Sequence, residues 1–254
     1  MTELRYVYAV TRPFDGFLPE DVRGVGGAPV RNVDHGGLVA VVSEVPEDEF
    51  ADAPLRARLE DLDWLAATAR GHEAVVGALT AVTSPLPLRL VTVCRDDSGV
   101  KRLIDSGRER FTRALERLDG RVEWGVKVYA QGSRETSATA EPEAPATGRD
   151  YLRQRLRRRD AQENTWSQAD SVSRRIHTEL SRRAEAGLLH RPQDARLPGV
   201  PHGNVLNAAY LVPREHSEAF VEEVRRLTPG EPGVHVELTG PWAPYSFVGE
   251  GDQA

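Results

Sequence analysis

The residues of this 254-residue chain that could carry chemistry are seven histidines, one cysteine and scattered carboxylates, and their spacing points away from catalysis. The histidines stand at 35, 72, 177, 190, 202, 216 and 235, and no two show the i,i+4 spacing of a helical metal site. "HEAVV" at His72 begins like a zinc-protease helix, yet Val76 occupies the place of the second His. Cys94 stands alone, which excludes an internal disulfide and a multi-cysteine metal site, and no neighbouring His could activate its thiol. Asp61 and Asp63, two apart on a helix, point to different sides and form no dyad. "GVGGAP" at Gly24 imitates a dinucleotide loop, but Pro29 replaces the third glycine and no helix follows. Neither GxxxxGK[ST] nor G-x-S-x-G occurs. These readings predict no enzyme, no metal and no cofactor. His72, on the apolar side of its helix, is expected to be a hydrogen-bonded core or interface residue. A site assembled from distant segments stays open at this level.

Two other features invite a functional reading. "GPWAPYSFV" (residues 240–248) places Trp242, Tyr245 and Phe247 within six positions of a chain that is 6% aromatic. Terminal segments fray unless something ties them down, so these rings either fill a cleft of this protein or offer a partner rigid contact area. The first alternative is the simpler one. "RQRLRRRD" (residues 153–160) is the one charge run. It is either a solvated helix face or a basic strip for an acidic partner or RNA, with Arg157, Arg158 and Arg159 at its centre. Tyr151 and Trp166 lie too far apart to make a base-stacking platform. A partner surface therefore has seven candidates: Trp242, Tyr245, Phe247, Arg157, Arg158, Arg159 and Trp166.

The elements that must position these residues follow from periodicity. "LRYVYAV" puts Leu4, Tyr6, Tyr8 and Val10 on one face of a strand. "PVRNV" and "GLVAVVSEV" flank "DHGG" as a hairpin. From Pro54 the period becomes 3.6, with one stripe through Leu55, Leu59, Leu62, Leu65, Ala66 and Ala69, and a second after Gly71. Residues 84–93 predict a strand, Val100–Leu118 a helix and residues 121–130 a strand. Arg149–Gly187 predicts one long helix with a thin apolar seam. Residues 188–191 predict a short strand, 204–212 a clear one, and Phe220, Val224 and Leu227 the buried side of the next helix.

Residues 131–149 hold no large apolar side chain and read as a disordered linker. The expected organisation is therefore two small α+β domains, 1–130 and 150–254, joined by 131–149. A net charge of −6 opposes general nucleic-acid binding, the apolar runs are too short for a membrane span, and no secretory signal is visible, so a cytoplasmic location is expected. The arginine excess, with Lys101 and Lys127 the only lysines, fits a GC-rich genome.

The pattern "NVLNAAYLV…VHVELTGPWAPYSFV" resembles the C-terminal signature of the gas vesicle protein L/F family (GvpL/GvpF), with Ala243 where that family usually has proline. "YVYAV", "GLVAVVSEV", "DLDWLAATARGHEAVV" and "PLPLRL" follow the family's order and carry its motif positions Trp64, His72 and Arg89, with Gly240 and Pro241 in the tail. The resemblance implies a non-enzymatic accessory protein of gas vesicle assembly with a ferredoxin-like C-terminal domain. Its implied partners are the hydrophobic shell protein (gas vesicle protein A) and other accessory proteins, at the vesicle. A minor structural component of the shell, or a small-ligand or enzymatic α+β protein, are the alternatives.

Overall fold

A computed structural model of the chain describes residues 3–16, 18–19, 21–130, 148–191, 203–228 and 234–249. Its contacts divide into two units, Met1–Val122 with Trp242–Ala254, and Glu123–Pro241. The composition break at 131 thus falls inside the second unit, and the aromatic tail belongs with the first. The expected linker lies outside the described residues except at its end, where a helix already begins at Gly148.

The first unit is built on an antiparallel sheet in the order β2-β3-β1-β4, from β1 (Glu3–Thr11), β2 (Val30–His35), β3 (Leu38–Pro46) and β4 (Leu86–Pro87). β5 (Val93–Cys94) also pairs with β1. The β2–β3 turn uses Gly36 and Gly37 at φ 56° and 79°, the pair of left-handed residues that a two-residue hairpin demands. β1 lies at the centre and is buried on both faces. Its register against β3 shifts between Val7 and Ala9, so Ala9, rather than Val10, joins Leu4, Tyr6 and Tyr8 in one core cluster. A bulge of this kind breaks strict alternation, and no alternating sequence announces it.

Four helices of this unit follow the sheet: α1 (Glu47–Phe50), α2 (Asp52–Arg58), α3 (Leu62–Val82) and α4 (Asp97–Leu118). Asp61 starts α3 by accepting from the backbone N–H of Asp63 and Trp64, both at 3.1 Å, which satisfies donors the helix cannot pair itself. The break in the apolar stripe therefore comes at residues 59–61. Gly71 is no break: α3 runs through it, because a Cβ there would stand 3.1 Å from Val25 Cα. Residues 84–93 yield only β4 and the start of β5, since the prolines limit pairing and Val91 turns at φ 63°.

The second unit runs β6 (Arg121–Ala130), α5 (Gly148–Ser181), β7 (Ala186–Leu189), β8 (Asn204–Pro213), α6 (Ser217–Leu227), β9 (Val234–Trp242), in sheet order β7-β8-β6-β9. That is the βαββαβ order of a ferredoxin-like fold. α5 ends at Ser181, short of Gly187, because β7 pairs with β8 from Ala186 onward. Phe220, Val224 and Leu227 form the buried side of α6. Pro241 sits in β9, an edge strand, where a residue without an N–H is tolerated.

Candidate functional site

The first place where polar chemistry gathers is the core of the first unit. β1 delivers Tyr6 and Tyr8, α3 delivers His72, and the tail returns Tyr245 to the same cluster. The imidazole lies 5.8 Å from the Tyr6 ring, 5.6 Å from Tyr8 and 6.2 Å from Tyr245. Tyr6 OH meets His72 Nδ1 at 3.1 Å and accepts from Val91 N at 3.0 Å. Tyr8 OH meets Ser43 Oγ at 2.6 Å and accepts from Val25 N at 2.7 Å. Burial pushes the His72 pKa down to about 4, so the ring is neutral near pH 7. A neutral ring with Nδ1 as acceptor lets Tyr6 accept from Val91 and donate to His72. Nε2 has no hydrogen-bond partner among the described residues. With His72 almost wholly enclosed, this cluster holds three segments together.

Trp64, on α3, donates from Nε1 to Glu49 at 3.1 Å and packs its ring 5.3 Å from Phe50. Arg89 is exposed; its carbonyl accepts from Thr92 N at 3.2 Å and Thr92 Oγ1 at 2.7 Å, shaping the turn before β5.

The tail divides its three rings. Gly240 takes φ 128°, and a Cβ there would lie 2.8 Å from Glu123 O, so glycine alone fits. Pro241 and Trp242 close β9, and Trp242 is 42% exposed. The chain then folds through a 3₁₀ turn, Tyr245–Phe247, that half-buries Tyr245 and encloses Phe247 completely (0% exposed). Arg117 donates to the Phe247 carbonyl. The three rings therefore do not form one exposed strip. Of the three, Trp242 is the ring offered to solvent, because the prolines turn the other two back into the first unit.

The basic helix behaves differently along its length. Ala169, Val172, Ser173, Ile176 and Leu180 are buried, whereas from Arg149 to Asn164 every side chain that is described is exposed. Leu156, Arg159, Glu163 and Trp166 recur at i, i+3, i+7 and i+10, on a stripe rotated roughly 100° from the buried one at 3.6 residues per turn. Arg159 Nε lies 3.3 Å from Glu163. Arg157 and Arg158 lie on this helix, and their side chains are outside the described residues.

A family model described as "Gas vesicle synthesis protein GvpL/GvpF" matches residues 4–249. The chain belongs to the GvpL/GvpF family. It is 65% identical to gas vesicle protein L of Streptomyces sp. (strain CB03234) over 249 residues, 97% of this chain and 93% of that one. Gas vesicle protein F of the same strain is 29% identical over 252 residues, 96% of this chain and 98% of that one. The fold is that of the crystal structure of GvpF from Anabaena sp. PCC7120, at TM-score 0.68 and 19% identity over 97% of this chain and 96% of that one.

Of the motif positions of this GvpL/GvpF chain, His72 lies in the core, Trp64 packs against it, Arg89 shapes a turn through its backbone carbonyl, and Gly240 and Pro241 stand at the entry to the tail. Sequence reasoning missed Tyr6, Tyr8 and Ser43 as polar partners, and the signal was two tyrosines placed where a buried strand would ordinarily carry aliphatic side chains. The second unit also holds a shallow groove of about 380 Å³ lined by Trp124, Ser217, Glu218, Val221, Glu222 and Arg225. Trp124 Nε1 donates to Ser217 Oγ there at 3.3 Å. Among the described residues, no cluster of three or more His, Cys, Asp or Glu could hold a metal, and no helix is long and apolar enough to cross a membrane.

Proposed function

We propose that this chain is an accessory protein of gas vesicle assembly, of the L type, that binds the hydrophobic shell protein (gas vesicle protein A) and other accessory proteins and makes no covalent change in them. The family match across residues 4–249 carries the reading. Physical chemistry supports the mode of action. A shell subunit that assembles through apolar faces and strand edges aggregates when released bare. A holder needs apolar contact area beside charge that keeps the complex in solution. The outer stripe of α5 and the exposed ring of Trp242 are the proposed contact positions, because they combine rigid rings and aliphatic side chains with arginine. Arg157 and Arg158 belong to the same proposal through their place in the helix.

The test is a pairwise pull-down of the purified chain against each protein of the neighbouring gene cluster, with and without Arg157, Arg158 and Arg159 replaced by Ala. Capture of the shell protein or another accessory protein, weakened in the triple variant, supports the reading. Capture of none of them defeats it. Retention on isolated vesicles through urea or detergent washing would make the chain a shell component instead.

A further inference from the structure

Two exposed apolar features of this chain carry opposite charge. The first is the corner between α2 and α3. Leu62 is 77% exposed there, Leu59 is exposed beside it, and Glu60, Asp61 and Asp63 surround them. The nearest cation in sequence, Arg58, is directed to Glu49 at 3.7 Å. The second is the outer stripe of α5, where Leu156 (51% exposed) and Trp166 (42% exposed) flank the Arg159–Glu163 pair. The segment Arg149–Trp166 carries six arginines against three carboxylates. A short acidic corner led by one protruding leucine matches a helix segment of net positive charge that offers an aliphatic and an aromatic contact about 15 Å apart at 1.5 Å per residue.

We propose that the α2–α3 corner of one copy docks on the outer stripe of α5 of a second copy, with Leu62 seated between Leu156 and Trp166. Asp61 and Asp63 then face the α5 arginines. Two different surfaces meet, so the contact either closes reciprocally in a two-fold dimer or continues from copy to copy into a ring or an open chain. The apolar contacts supply attraction and the charges set register and partner choice. The Arg159–Glu163 pair costs little to open, because both groups are exposed. This deepens the reading of α5 as a contact surface by naming one occupant. It is tested on this chain alone, so its failure leaves binding of the shell protein untouched.

The experiment is sedimentation velocity over a rising concentration series of wild type, Asp63→Arg, Arg159→Asp and a one-to-one mixture of the two variants, with Leu62→Ser as a neutral probe. Each variant alters an exposed side chain, and thermal melting checks that it folds. Wild type is expected to move from monomer to a dimer or larger species, less so as salt rises. Either reversal alone should weaken association by about tenfold or more, since like charges then meet. The mixture should restore it, because each altered surface finds its complement on the other variant. Leu62→Ser should weaken it at every salt concentration. A wild type that stays monomeric, or that associates as strongly with either charge reversed, overturns the proposal.

Discussion

His72 shows what a family motif residue does inside the core of the first unit. Its pKa in the folded chain falls to about 4 through burial, below the value near 6.5 of an exposed histidine. Between these values the unfolded chain binds the extra proton, so stability rises with pH through that window and is lost as pH falls from about 6.5 towards 4. The loss amounts to roughly 3 kcal/mol for a shift of this size. Urea melts of wild type and His72→Phe from pH 4 to 7 should show a steeper pH slope for wild type, and equal slopes would refute the assignment. Asp97 acts in a lower window. Hydrogen bonds from Arg31 and Arg5 hold its pKa down to about 2, so its contribution is present above about pH 4 and fades below that. The tail rings form the second residue-scale contrast. Phe247→Ala should cost about 3–5 kcal/mol, as for an enclosed aromatic. Trp242→Ala should stay within about 0.5 kcal/mol in stability, as for an open surface position. Equal costs in denaturant melts would contradict the division of the tail described above.

Elements were legible where a single period dominates. The hairpin of β2 and β3, helix α4 with its stop before Gly120, and helix α6 all follow from spacing, because local turn chemistry and the apolar stripe agree there. Three features escaped for stated physical causes. The bulge in β1 moves Ala9 into a face where alternation puts Val10. Gly71 reads as an interruption, yet it marks a close approach to Val25 inside a continuous helix. The start of α3 is set by Asp61, a capping residue hidden among acidic neighbours. Replacing Asp61 by Ala should cost about 1 kcal/mol, and Asn should recover most of it. An Asp61→Ala variant as stable as wild type in thermal melts would show that the cap does not define this boundary. Of the candidate partner positions, sequence could not divide Trp242 from Tyr245 and Phe247, since that division depends on a fold-back turn that pairs residues far apart in the chain.

At the scale of the molecule, composition placed a boundary at residue 131 where the polar segment starts, whereas the contacts divide the chain at 122–123. Composition reports where a chain cannot build a core. It does not report which strands pair, and β6 pairs with β8 and β9. The tail crosses back for the same reason: its apolar residues complete a core begun by β1, more than two hundred residues earlier. Among the described residues the large apolar side chains left exposed include Leu62, Leu156, Trp166 and Trp242, and these are the surfaces that need a use. On the proposed function, this GvpL/GvpF chain acts by covering apolar surface of another polypeptide. The most direct test is light scattering as purified shell protein A is diluted from denaturant in the presence of increasing amounts of the chain. The account predicts scattering that falls with added chain and falls less with Trp166→Ala and Trp242→Ala. Scattering unchanged at several-fold excess of the folded chain would contradict it.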